Sequence, residues 1–200
     1  MSTAPHSLPF TGDPEADALL AREPMALLIG FVLDQQVSVQ KAFSGPLELQ
    51  RRIGSIDAVR IASMDPLDLE EAFKRRPALH RFPASMAERT RELCGQITDH
   101  HGGRPERIWT EAADGPDLEV RLLGLPGIGP MKAKTIIAIL ARRFGLQLPG
   151  LEAVTPTYPT LADVDSAEAL ERYQAQKRAY KQQLKAAGST FDPAAAEERS

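Results

Sequence analysis

The chain has 200 residues, a formal net charge of -3 and a single cysteine, Cys94. That length supports a buried core without disulfides or metal, while one thiol excludes an internal disulfide and any all-cysteine zinc or iron–sulfur site. The acidic balance argues against broad coating of nucleic acid but leaves room for a local phosphate contact.

No apolar run reaches the roughly 18 residues of a membrane span, and Met1–Pro14 has neither a basic start nor a greasy centre, so a cytoplasmic protein without membrane contact is expected. Ala, Leu, Glu, Gln and Arg dominate, and alternating β-branched runs are scarce. The expected fold is therefore all-α, a compact helical bundle. Two lobes, built from Met25–Ala113 and from the termini with a cleft between them, are the alternative arrangement.

In chain order, residues 1–12 are polar and proline-punctuated and read as a flexible arm, with Leu8, Pro9 and Phe10 available to tuck against the core. The helical domain is expected over 13–187. Asp13-Pro14 opens a first helix to about Arg22. Glu23-Pro24 begins the most apolar segment, Met25–Leu33, which should be the central buried helix and should run on through Asp34-Gln35-Gln36 to Phe43, where Gly45-Pro46 ends it. Leu47–Ile53 and Ile56–Met64 read as short helices, and Asp65-Pro66 starts another that stops near Arg75-Arg76-Pro77. Pro83 opens a helix closed by Gly102-Gly103, and Pro105–Ala113 is the next piece. Pro149, Gly150, Pro156 and Pro159 forbid a long helix over Leu148–Tyr158. Ser166 then caps a charged helix over 167–187, and 188–200 reads as a disordered tail.

The most informative stretch is Leu125-Pro126-Gly127-Ile128-Gly129-Pro130, set between helical patterns within 117–144. Two glycines permit a tight turn with exposed amides, and Pro130 suits the first position of the following helix. Such a turn offers backbone N–H groups and a helix N-terminus to one anion. From Arg121 to Gly145 there are five basic residues, Arg121, Lys132, Lys134, Arg142 and Arg143, and no acidic one. The plainer alternative is an ordinary helix corner with a solvated basic face.

Two motifs together carry a resemblance over roughly Met25–Phe144. Ile29–Val39, a buried helix running into the Gln35-Gln36 pair, and the hairpin Leu125–Ala133 make the chain similar to the helix-hairpin-helix superfamily of base-excision DNA glycosylases, within a bacterial branch. The resemblance implies an enzyme that flips a damaged or deaminated base from double-stranded DNA into a pocket and hydrolyses its glycosidic bond, acting as a monomer. It implies DNA contact at Gly127, Ile128, Gly129, Lys132 and Lys134, and a monovalent cation held by hairpin carbonyls. No organic cofactor, iron–sulfur cluster or side-chain metal site is implied.

For the pocket, the resemblance points to Gln35 and Gln36, whose amides both donate and accept at base edges, with Met131 and Tyr158 beside them. Bifunctional members carry a nucleophilic lysine two residues after the second glycine. Met131 stands there, and Lys132 lies about 100° further round the helix, so a monofunctional enzyme without lyase activity is expected. The family's catalytic aspartate lies roughly twenty residues after the hairpin, where its charge steadies the sugar cation and orients water. That region offers Glu152 and then Asp163 and Asp165. Asp163, between apolar neighbours, ranks first, Asp165 second and Glu152 third. Asp34, before the Gln pair, is the other candidate acid. A non-catalytic hairpin DNA-binding protein and a helical protein-interaction module are the rival readings.

Overall fold

The structure is a computed structural model and describes residues 5–186. It is all-helical, with eleven α-helices, one 3-10 turn and no strand among the described residues. In order these are α1 (Pro14–Arg22), α2 (Pro24–Leu33), α3 (Val39–Ile53), α4 (Ala58–Ser63), α5 (Pro66–Lys74), α6 (Pro83–His101), α7 (Arg107–Thr110), α8 (Gly115–Leu123), α9 (Pro130–Arg142), α10 (Leu151–Val154) and α11 (Ala167–Ala186), with the 3-10 turn at Leu161–Asp163.

Local chemistry sets most helix starts. Pro14, Pro24, Pro66, Pro83, Pro116 and Pro130 occupy first-turn positions, where no donor is lost. Asp13, Asp57, Asp65 and Asp114 accept the orphan amides of Glu15, Arg60, Leu67 and Asp117.

Helix α2 is the hub, with every residue from Met25 to Leu33 buried. It crosses α3 closely because Gly30 and Gly45 leave room there: a Cβ on Gly30 would stand 2.5 Å from the Phe43 ring, and one on Gly45 2.4 Å from Leu33. Phe43 also meets Phe31 and Phe10 edge-on, with ring centroids 5.1 and 5.4 Å apart. Helices α4 and α5 pack on α6, and α1 lies on α2 and α3. Of the remainder, α7, α10 and the 3-10 turn pack on α8 and α9, and α11 packs on the 3-10 turn. Cys94 is fully buried on α6, and burial pushes its thiol up to about 12.

Four expectations are corrected. Leu8 and Phe10 belong to the core rather than to a loose arm. Asp17 fixes them by accepting from the amides of Phe10 and Thr11 and from the Thr11 hydroxyl, while its carbonyl takes the Leu8 amide. The central helix does not run to Phe43, because Asp34–Ser38 breaks it and Gln36 adopts a left-handed φ of 55°. Helix α3 then passes through Gly45-Pro46 without ending; burial of Phe43, Leu47 and Leu49 outweighs the backbone hydrogen bond that Pro46 cannot make. Finally, α1 packs on α2 and α3 while α11 packs on the 3-10 turn, so the described parts of the two termini form no common lobe. Residues 1–4 and the expected tail at 188–200 lie outside the described residues.

Candidate functional site

Helices α8 and α9 pack on each other across the turn 124–129. Gly127 has φ +77°, a left-handed conformation that favours glycine. Ile128 turns its side chain into the core, 4% exposed, and spends its amide on the Leu125 carbonyl, so it offers little directly to a ligand. Among the described residues, the N–H groups of Gly127, Gly129 and Met131 meet no acceptor. These three donors flank the start of α9, whose first turn carries no carboxylate.

Lys132 reaches back to the turn, its Nζ donating to the Gly127 carbonyl at 3.0 Å. That carbonyl, one of those expected to hold a monovalent cation, therefore already faces an ammonium group. Lys134 is half-buried one turn into α9.

The turn packs against the central helix. A Cβ on Gly127 would lie 3.7 Å from the Val32 side chain, and Val32 is two residues before Asp34. Asp34 caps the C-terminus of α2, half-buried, and Gln35 and Gln36 follow in the break before α3. Gln36 is exposed and Gln35 half-buried. The break is pinned from outside by His80, which is 1% exposed and whose Nε2 lies 2.9 Å from the Gln35 carbonyl oxygen. His80 Nδ1 accepts the Phe82 amide at 3.1 Å, so Nε2 carries the proton and the ring is neutral. Burial pulls the imidazole below its ordinary range, and the charges of Arg81 and Lys41 act the same way against hydrogen bonds to the Gln35 and Leu33 carbonyls. Phe82, beside His80, is an exposed aromatic with the Arg81 guanidinium 4.8 Å from its ring centre.

Behind His80 stands Arg52, whose side chain is 3% exposed. Its guanidinium donates to the carbonyls of Ala72, Arg75 and Pro77 and to Glu48, bracing the segment that delivers His80.

Met131 and Tyr158 come together, the Tyr158 hydroxyl lying 3.6 Å from the Met131 sulfur. Tyr173 of α11 joins this region. Burial pushes its hydroxyl above the ordinary range, and the charge of Asp34, then Tyr158 and Asp163, adds to the effect. Gln174, next on α11, donates to Gln40 of α3 at 2.9 Å.

Asp163 differs from its expected setting. It is exposed rather than desolvated, and its carboxylate is engaged twice. Arg142 grips both oxygens at 2.7 and 2.9 Å, and Oδ2 accepts the Thr160 amide at 2.7 Å in a capping box. Arg142 lies three turns beyond Met131 on α9, so this pair anchors the C-terminal half of that helix while the hairpin amides stand at its other end. The 149–159 segment folds over α8 and α9, not over the central helix. Asp165 and Glu152 are exposed.

No family model, curated protein or solved structure matches the chain. The geometry must therefore carry the functional reading. It gathers a turn with three unengaged amides, a half-buried carboxylate and two glutamines at one end of the hub helix. Sequence reasoning passed over Arg52, since it lies in no motif and acts on backbone distant in sequence.

Proposed function

We propose that the chain is a DNA-binding glycosylase of the monofunctional type, hydrolysing the N-glycosidic bond of a base flipped from a damaged duplex. The observation that carries this is the packing of Gly127 against Val32, which sets the hairpin beside the Asp34-Gln35-Gln36 break although the two are far apart in sequence. The amides of Gly127, Gly129 and Met131 hold a backbone phosphate. Gln35 and Gln36 fill the gap or line the pocket.

In this reading the geometry moves the acid from Asp163 to Asp34. Asp163 is exposed, whereas Asp34 is half-buried at the hairpin side of the molecule. Its carboxylate orients water and takes a proton as the oxygen bonds to the sugar carbon; the base departs with the electrons of the broken C–N bond and is protonated. The product is an abasic site, with the strand intact.

One observation favours the non-catalytic binder. Tyr173 already stands against the core in the field of Asp34 and Tyr158, so a side chain fills space that a base would need.

Release of free base from duplexes carrying uracil, hypoxanthine, alkylated purine or oxidised guanine tests the choice. Glycosylase activity in the parent, abolished in Asp34→Asn with duplex affinity kept, is the expected result. Binding without release from any of these duplexes would leave the non-catalytic reading as the better one.

A further inference from the structure

Arg89, in the second turn of α6, lies across the hairpin from outside both sequence motifs. A Cβ on Gly127 would stand 2.8 Å from Arg89 Cδ and 3.5 Å from its Cγ, so the arginine stem runs over the glycine face of the turn. Nε is bonded to that Cδ, and the guanidinium begins where the stem crosses the turn. The residue is half-buried, yet among the described residues its guanidinium makes no hydrogen bond and no ion pair.

That is unusual company for an arginine with carboxylates so near in sequence. Glu92 is one turn on along α6 and makes no pair with it, and Glu88, about 100° round the helix, lines with Arg91 a groove of about 260 Å³ shared with Leu69 and Glu70 of α5. The turn beneath the Arg89 stem presents the amides of Gly127, Gly129 and Met131, and Lys132 and Lys134 follow in the first turns of α9. A packed stem also lowers the entropy cost of placing the planar donor fork.

We propose that Arg89 is a second phosphate ligand of the hairpin site, its guanidinium binding the DNA backbone beside the turn amides. This rests on the DNA-binding reading above and adds to it a contact delivered from α6.

The test is the salt dependence of duplex binding, read by anisotropy with an undamaged labelled duplex between about 50 and 200 mM KCl. Each phosphate contact contributes about 0.9 to the slope of log K against log salt. Arg89→Gln keeps a long stem over Gly127 and is expected to shallow the slope by about 0.9, with an unchanged melting temperature because no intramolecular bond is lost. Arg89→Lys is expected to restore the slope. Arg104→Gln, at an exposed position beyond the far end of α6 and paired with Glu106, is expected to match the parent. A parent slope in Arg89→Gln would overturn the assignment while leaving the DNA reading intact. A parent that binds no duplex would overturn both.

Discussion

His80 donates a proton from Nε2 to the carbonyl oxygen of Gln35 across 2.9 Å, joining the segment before α6 to the break between α2 and α3. The imidazole is neutral when folded, and its folded pKa lies below the unfolded value of about 6.5. The native state thus binds fewer protons, so this contribution to stability is present above about pH 6.5 and is lost as pH falls below it toward the folded value. His101 is depressed too, chiefly by burial. Comparing melting temperatures of the parent and His80→Gln from pH 7.5 to 5 isolates the His80 share. The variant is expected to lose about 1–3 kcal/mol at neutral pH, the cost of a buried unpaired group, and to show a flatter acid limb.

The two hairpin glycines should respond differently to substitution. Gly127→Ala meets both a left-handed φ and the Arg89 stem, and should cost about 1–2 kcal/mol in stability. Gly129 has φ -94° with open space where a Cβ would go, so Gly129→Val should fold as the parent does. Duplex affinity should nevertheless fall in both, equally for all sequences. Equal affinity of Gly129→Val and parent, measured by anisotropy, would take the turn out of the interface.

Met131 at the start of α9 has no amine, and the Lys132 ammonium turns back to the Gly127 carbonyl. Borohydride treatment with an abasic duplex should therefore trap no covalent adduct, and the strand should remain uncut on a denaturing gel. An adduct lost in Lys132→Gln would show that the lysine leaves that carbonyl to attack the sugar.

For Asp163 the expected phenotype is mild. Its pair with Arg142 is exposed on both sides, 43% and 33%, so solvent screening limits its worth to below about 1 kcal/mol. Asparagine can still accept the Thr160 amide. Asp163→Asn should therefore melt within a few degrees of the parent and, if the parent is active, release base at a similar rate. A large loss of activity at unchanged stability would return the catalytic role to this carboxylate.

The all-helical class and most helix boundaries were legible because they are written locally, in six first-turn prolines and in aspartate caps. The turn between α8 and α9 was legible for the same reason. The break at Asp34–Ser38 was not, since no glycine or proline marks it: Gln36 holds its left-handed φ in a segment that His80, distant in sequence, fixes through the neighbouring Gln35. Pro46 misled in the opposite sense, because packing in α3 overrides a strong local stop. Asp163 looked desolvated from its neighbours in sequence, but Leu161, Ala162 and Val164 turn into the core and leave the carboxylate outside. Its partner Arg142 is 21 residues away, beyond any local pattern.

Arg52 ties several of these distant pieces together. Arg52→Met would strand the carbonyls of Ala72 and Pro77 and free Glu48, at an expected cost of about 3 kcal/mol. Because the same brace sets the approach to His80, the variant should also weaken duplex binding under conditions where it remains folded. Denaturant melts followed by anisotropy on the folded fraction would separate the two effects.

The burial of Cys94 gives the molecule a built-in clock. A thiol held at about 12 and wholly enclosed on α6 is unreactive in the closed protein, so an aromatic disulfide reagent marks only molecules in which the helices around α6 have opened. The labelling rate then reads the frequency of that opening at neutral pH without denaturant, and a duplex ligand that braces α6 would slow it. The same silence leaves the native chain ready to carry a single introduced surface cysteine as its sole reporter.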